Sequence, residues 1–177
     1  MNVFSRLMME RQIFLGTDID SDVANIINAQ LLYLDSISDE DITILVNSPG
    51  GVCYDGLAII DTMNYITPEI TTICAGIAAS MGAVILSCGT KGKRLALPHS
   101  RVMIHQPLGG AHGQATDILI EAEQIKILRT ELCQILADNS GQPLDKVLQD
   151  CERDNWMTSG QAREYGLIDD IIRSKKK

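Results

Sequence analysis

Ile70-Thr-Thr-Ile-Cys-Ala-Gly-Ile-Ala-Ala-Ser80-Met-Gly-Ala83 is the stretch on which the fold turns. Ile70 to Cys74 is a short β-branched run of strand length, and the residues after it surround one serine with nothing larger than Met or Ile. A strand running into a helix that opens near Ser80 is half of a βα unit. The same small residues admit two readings. Either they let a helix pack closely on its neighbour with Ser80 as filler, or Gly82 and Ala79 keep a turn open so that Ser80 is presented as a nucleophile with backbone N–H groups close by.

Working outward, Val23 to Leu34 and Gly56 to Ile66 carry helical periodicity, and Ile42 to Val46 is a second short apolar run. Downstream come two further short runs, Arg94 to Leu97 and Val102 to His105, then a long helical stretch from Ala115 to Ala137. That stretch is announced by Gly109-Gly110-Ala-His-Gly113 and stopped by Asn139-Ser-Gly141-Gln-Pro143. Repeated alternation of this kind predicts an α/β fold with a largely parallel sheet under helical cover, and the long helix is expected to project from it. With 177 residues and nothing resembling a linker, residues 1–177 are expected to form one domain.

Composition narrows the class. Hydrophobic residues make up 45% and charged residues 21%, which is globular, and the 4% aromatic share predicts an aliphatic core. No apolar run reaches the ~18 residues of a membrane span, and Met1 to Glu10 lacks the pattern of a secretory signal, so a cytoplasmic protein without membrane contact is expected. A net charge of −8 repels phosphate backbones, which argues against nucleic acid. Five cysteines (Cys53, Cys74, Cys88, Cys133, Cys151) without a C-x-x-C pair signal neither a disulfide framework nor a metal site and are expected as buried free thiols. The terminal Lys175-Lys-Lys177 is expected to be solvated.

Asn47-Ser-Pro-Gly50-Gly51 closes the run Ile42 to Val46, and two glycines after a proline suit a tight turn whose N–H groups point into open space. It matches neither a dinucleotide fingerprint nor a P-loop. Of three histidines, His105 ends an apolar run at the mouth of a strand and is placed as a general base, whereas His99 and His112 fall in loops. A base of this kind needs an orienting acid. Asp154, beside Trp156 and shielded by it, leads; Glu152 and Asp150 remain alternatives.

Asn47-Ser-Pro-Gly-Gly51, Ala79-Ser80-Met81-Gly82, Pro98-His-Ser-Arg101-Val-Met-Ile-His105-Gln-Pro107, Gly113-Gln-Ala-Thr-Asp117 and Glu152-Arg-Asp154, taken together and in order, resemble the proteolytic subunit of the Clp protease. The resemblance runs from about Phe4 to Ile172. It implies a crotonase-like α/β subunit with Ser80 as nucleophile, His105 as base, Asp154 as orienter, and the amides of Gly51 and Met81 as the oxyanion hole. It further implies two stacked heptameric rings around a chamber in which unfolded polypeptide is cut, with Gly109 to Ala137 as the handle between rings. Gly109, Gly110 and Gln114 would then be oligomer contacts, and Arg153 would link ring contacts to the catalytic residues. Unfolding would fall to a partner AAA+ unfoldase using ATP; this subunit has no P-loop and would bind no cofactor. Three departures stand out. The sequence starts at Met1-Asn-Val-Phe-Ser-Arg6 where relatives generally have an extra leader and a pore-lining segment, so gating residues are expected to be missing; Thr43 and Leu45 stand where many relatives place aromatics in the unfoldase docking pocket, and Asp55 stands where a small residue is common. A crotonase-fold acyl-CoA enzyme and a ring subunit without catalysis are the competing readings.

Overall fold

The computed structural model describes residues 1–174; the lysine tail lies outside them. In chain order the elements are α1 (Val3–Met9), β1 (Gln12–Leu15), α2 (Ser21–Ile37), β2 (Ile42–Ser48), α3 (Cys53–Tyr65), β3 (Ile70–Ala79) and α4 (Met81–Ser87). They continue with β4 (Arg94–Ala96), β5 (Arg101–Ile104), α5 (Ala115–Ser140), α6 (Leu144–Asp150), β6 (Asn155–Thr158), α7 (Ser159–Tyr165) and β7 (Asp170–Ile171). The predicted βα alternation is present. The strands form one seven-stranded sheet in the order β1-β2-β3-β4-β7, with β5 joined to β3 and β6 to β5. Every pairing is parallel except β5 with β6.

β3 is the central strand, and it is longer than Ile70 to Cys74 because a bulge lets it change partners. Val46 pairs with Cys74 but Ser48 pairs with Ala78, so extra residues of β3 bow out between them. Gly76 makes this possible at φ 97°; a Cβ there would stand 2.6 Å from Asn47 Oδ1. Before the bulge β3 pairs with β4, and after it Ile77, Ala78 and Ala79 pair with Arg101, Val102 and Met103 of β5.

Beyond β3 the chain turns directly into α4, whose seven residues are all buried. A helix apolar on every side belongs inside a core, and here it holds Ser80 at its N-terminal end, where the serine is only partly buried. Gly82 serves close packing: a Cβ on it would lie 2.8 Å from the Ser48 carbonyl oxygen. The residue that leaves room beside Ser80 is Gly50, whose Cβ would fall 2.7 Å from the Ser80 Cβ. The expectation that Gly82 holds the turn open is corrected accordingly, since sequence proximity did not reveal which glycine faces the serine.

The core is aliphatic, built from residues such as Leu15, Leu31, Ile44, Ile59, Ile85 and Ile104. α5 buries only Leu132, Cys133, Leu136 and Ala137 near its C-terminal end, so its N-terminal half projects with Ile118, Leu119, Ile120 and Ile127 exposed. It ends at Ser140, three residues beyond Ala137, where Gly141 takes the left-handed conformation at φ 75°. Of the cysteines, Cys74, Cys133 and Cys151 are buried, but Cys53 and Cys88 are only partly so, and all are free thiols. Among the described residues no helix is long and apolar enough to cross a membrane.

Candidate active site

Ser80 has φ 55° and ψ −125°, a conformation that strains any residue bearing a Cβ by of order 1–3 kcal/mol. The surroundings hold it there: its N–H donates to the Met103 carbonyl at 2.9 Å, and its own carbonyl accepts from Ala83 and Val84 at 3.0 and 3.2 Å, starting α4. Strain of this type turns the serine side chain away from both strand and helix.

His105 and Asp154 are brought together by the antiparallel pair that the sequence did not disclose. Ile104 of β5 faces Asn155 of β6, so the residue leaving β5 and the residue entering β6 are neighbours. His105 Nε2 lies 2.8 Å from Ser80 Oγ, and His105 Nδ1 lies 3.0 Å from Asp154 Oδ1. A carboxylate only accepts, so Nδ1 carries the proton it shares with Asp154, and Nε2 is left to accept from the Ser80 hydroxyl. The imidazole is largely buried at 13% side-chain exposure, whereas the Asp154 carboxylate is 63% exposed. Trp156 does not shield it. Along β6 side chains alternate, placing Met157 in the core and Trp156 on the solvent face, half exposed.

The other two acids are engaged elsewhere. Glu152 accepts from Arg129 Nη2 at 2.7 Å, and Asp150 accepts from the Tyr165 hydroxyl at 2.7 Å and from Lys146 at 2.5 Å. Burial acts to raise the Asp150 carboxyl, but the bonds from Lys146 and Tyr165 outweigh it and leave it below the usual range. Asp154 alone reaches the histidine.

The glycine turn lies against the serine. Ile19 N–H donates to the Gly50 carbonyl and Val52 N–H to the Ile19 carbonyl, both at 2.9 Å, clamping Gly50-Gly51 onto buried Ile19. Among the described residues no hydrogen bond takes up the Gly51 N–H, and the Met81 N–H, first in α4, has no intrahelical acceptor. A Cβ on Gly50 would approach Met81 N to 3.1 Å, so the bare glycine leaves that amide accessible. Below Ser80 and His105 a small recess is walled by Cys53, Val84, Ile104, Leu132 and Leu136. Burial pushes the Cys53 thiol up, so it stays protonated at neutral pH and does not compete with Ser80.

Gly109 packs within its own chain, since a Cβ on it would strike Ile125 Cδ1 at 2.5 Å, whereas Gly110 faces open space. Gln114 is exposed at the start of α5, and Arg153 is exposed with no ion-pair partner among the described residues. His99 and His112 are exposed. Asp55 lies in the first turn of α3, where its charge faces the positive end of the helix dipole.

A strained serine at a helix start, in line with a histidine and an aspartate and followed by an accessible Met81 amide, defines a serine-type hydrolase on an α/β scaffold. The sequence profile of the Clp protease matches residues 1–175, and the chain belongs to that family. It is 58% identical over 176 residues to the ATP-dependent Clp protease proteolytic subunit of Bacteroides fragilis, covering 99% of this chain and 85% of that one. It is 57% identical to the protein of the same name from Porphyromonas gingivalis, covering 100% and 80%. The ATP-dependent Clp protease proteolytic subunit 2 of Parasynechococcus marenigrum is 56% identical, with 97% and 87% covered.

Proposed function

We propose that this chain is the proteolytic subunit of an ATP-dependent protease, a serine endopeptidase that cuts unfolded polypeptide through an acyl-enzyme on Ser80. The observation that carries the reading is the unbroken line Asp154–His105–Ser80, with contacts of 3.0 and 2.8 Å, in a member of the Clp protease family. In this scheme Ser80 Oγ attacks the scissile carbonyl while His105 Nε2 takes its proton. Asp154 supports the imidazolium, and the Gly51 and Met81 N–H groups receive the oxyanion. His105 then protonates the departing amine, and a water, deprotonated by the same nitrogen, releases the acyl group.

The assembly we infer is two stacked heptameric rings. The exposed Leu119, Ile120 and Ile127 of α5, spaced to share one side of the helix, are an apolar face that a second copy would cover, and enclosure keeps a site of broad specificity away from folded cytoplasmic proteins. Unfolding is assigned to a separate AAA+ ATPase, which fits the word ATP-dependent in the relatives' names. Leu45, with Ile73, Leu97 and Pro98, lines a shallow apolar pocket that suits such a partner.

The direct test is Ser80→Ala. It is expected to lose small-peptide hydrolysis and labelling by a serine-reactive phosphonate while keeping the native mass of a tetradecamer. Retained turnover sinks the assignment of Ser80, and thioester turnover without peptide cleavage favours an acyl-CoA enzyme.

A further inference from the structure

Asp154 is the most exposed member of the catalytic line, and among the described residues His105 is the one side chain bonded to it. Its position is therefore set by the backbone of the segment 151–154 that carries it. That segment is gripped by the residue next to the histidine. Gln106 N–H donates to the Cys151 carbonyl at 2.6 Å, and Gln106 Nε2 donates to the Glu152 carbonyl at 3.0 Å. From the other side Arg129 of α5 holds the Glu152 carboxylate at 2.7 Å and reaches the Leu148 carbonyl at 3.5 Å.

We infer that Gln106 is a positioning residue: it ties the backbone beside the base to the backbone beside the acid, and so fixes the His105–Asp154 separation that the exposed carboxylate cannot fix by packing. The inference rests on the proposed serine mechanism. The antiparallel register brings residues 104 and 155 opposite each other, but β6 begins only at Asn155, so the strand ladder does not extend to Asp154. The two Gln106 bonds continue the cross-link past the end of the ladder. The backbone bond survives any substitution; the side-chain bond does not. Without it residues 152–154 gain freedom, Asp154 spends less time on Nδ1, and the imidazolium loses part of its counter-charge. Arg129, Glu152 and Asp154 are the charged groups around this contact.

The test compares Gln106→Met, of similar length but with no donor, with Gln106→Lys, which restores one. Misplacement on the scale of an ångström costs up to about 100-fold in rate, and partial loosening is expected to lower kcat about tenfold in Gln106→Met with KM little changed. Gln106→Lys should recover most of the lost kcat. Native mass and circular dichroism confirm that each particle is assembled. Unchanged kcat, or a loss carried by KM instead of kcat, in an assembled Gln106→Met particle overturns the inference, as does equal loss in both variants, which would assign the effect to packing. A wild-type particle without Ser80-dependent hydrolysis would refute the proposed function instead, so the two failures are distinct.

Discussion

Three carboxylates lie within five residues of one another at Asp150, Glu152 and Asp154, and only their partners distinguish them. Asp150 is taken by Lys146 and Tyr165, Glu152 by Arg129, and Asp154 by His105. The sequence narrowed the acid to these three, because they stand at or just after the end of the short helix now seen as α6; the choice among them required knowing that β6 pairs with β5. Asp154→Asn is expected to lower kcat by roughly 10⁴-fold, the loss seen when a triad aspartate can no longer fix the histidine tautomer. Glu152→Gln, which only weakens the grip of Arg129 on the loop, should cost no more than a few-fold. Peptide-hydrolysis kinetics on both decide the matter: near-normal activity in Asp154→Asn with loss in Glu152→Gln names the wrong acid.

At the scale of elements, the ends of helices and strands do as much as their interiors. α2 closes without a basic residue in its last turn, and Arg11 reaches across from the start of β1 to supply the charge. Its guanidinium donates to the carbonyls of Leu34 at 3.1 Å, Ser38 at 3.0 Å and Glu40 at 2.6 Å, and its backbone sits at φ 62°. Leu34 lies in the last turn of α2 and Ser38 caps it, where helix carbonyls run short of donors, and Glu40 stands in the loop just beyond. Arg11→Met should lower stability by about 2 kcal/mol, the worth of a charged hydrogen-bond donor; a urea-unfolding midpoint equal to wild type would show that water serves these carbonyls equally well. Long periodic segments such as α2, α3 and α5 were legible in the sequence because amphipathic spacing repeats over several turns. The four-residue strands β1 and β6, two-residue β7 and seven-residue α7 were not, since so few residues carry no period.

For the whole molecule, one buried ion pair joins parts of the chain far apart in sequence. Arg94 of β4 is 4% exposed and bonds the Asp169 carboxylate through Nη2 at 2.8 Å and Nε at 3.0 Å, and its Nη1 reaches the Asn139 carbonyl near the end of α5 at 2.9 Å. Burial acts to raise the Asp169 carboxyl, but the Arg94 side chain and the N–H groups of Arg94 and Gly92 outweigh it and hold it below the usual value. A carboxyl depressed in the folded state contributes stability above its unfolded pKa of about 3.9 and loses it as pH falls through the folded value. Asp169→Asn, which leaves the arginine buried without its counter-charge, should therefore cost about 3 kcal/mol at pH 7. The gap should narrow below about pH 4, where wild type loses the same interaction. Urea unfolding of both proteins at pH 7 and pH 3 checks the sign; a gap that widens on acidification contradicts it.

Local sequence determined the βα alternation, the aliphatic core, the two glycine-bearing turns and the presence of Ser80 and His105 at strand ends, because these depend on periodicity, residue size and turn chemistry within a few residues. It also determined the family, through blocks that retain their order over nearly the whole chain. Tertiary structure alone decided that Gly50 is the glycine facing Ser80, that Asp154 and not its neighbours meets His105, and that Trp156 faces solvent. Each of these depends on pairings between residues 25 to 57 positions apart. Such pairings are set by strand register and by the bulge at Gly76, which no local pattern encodes.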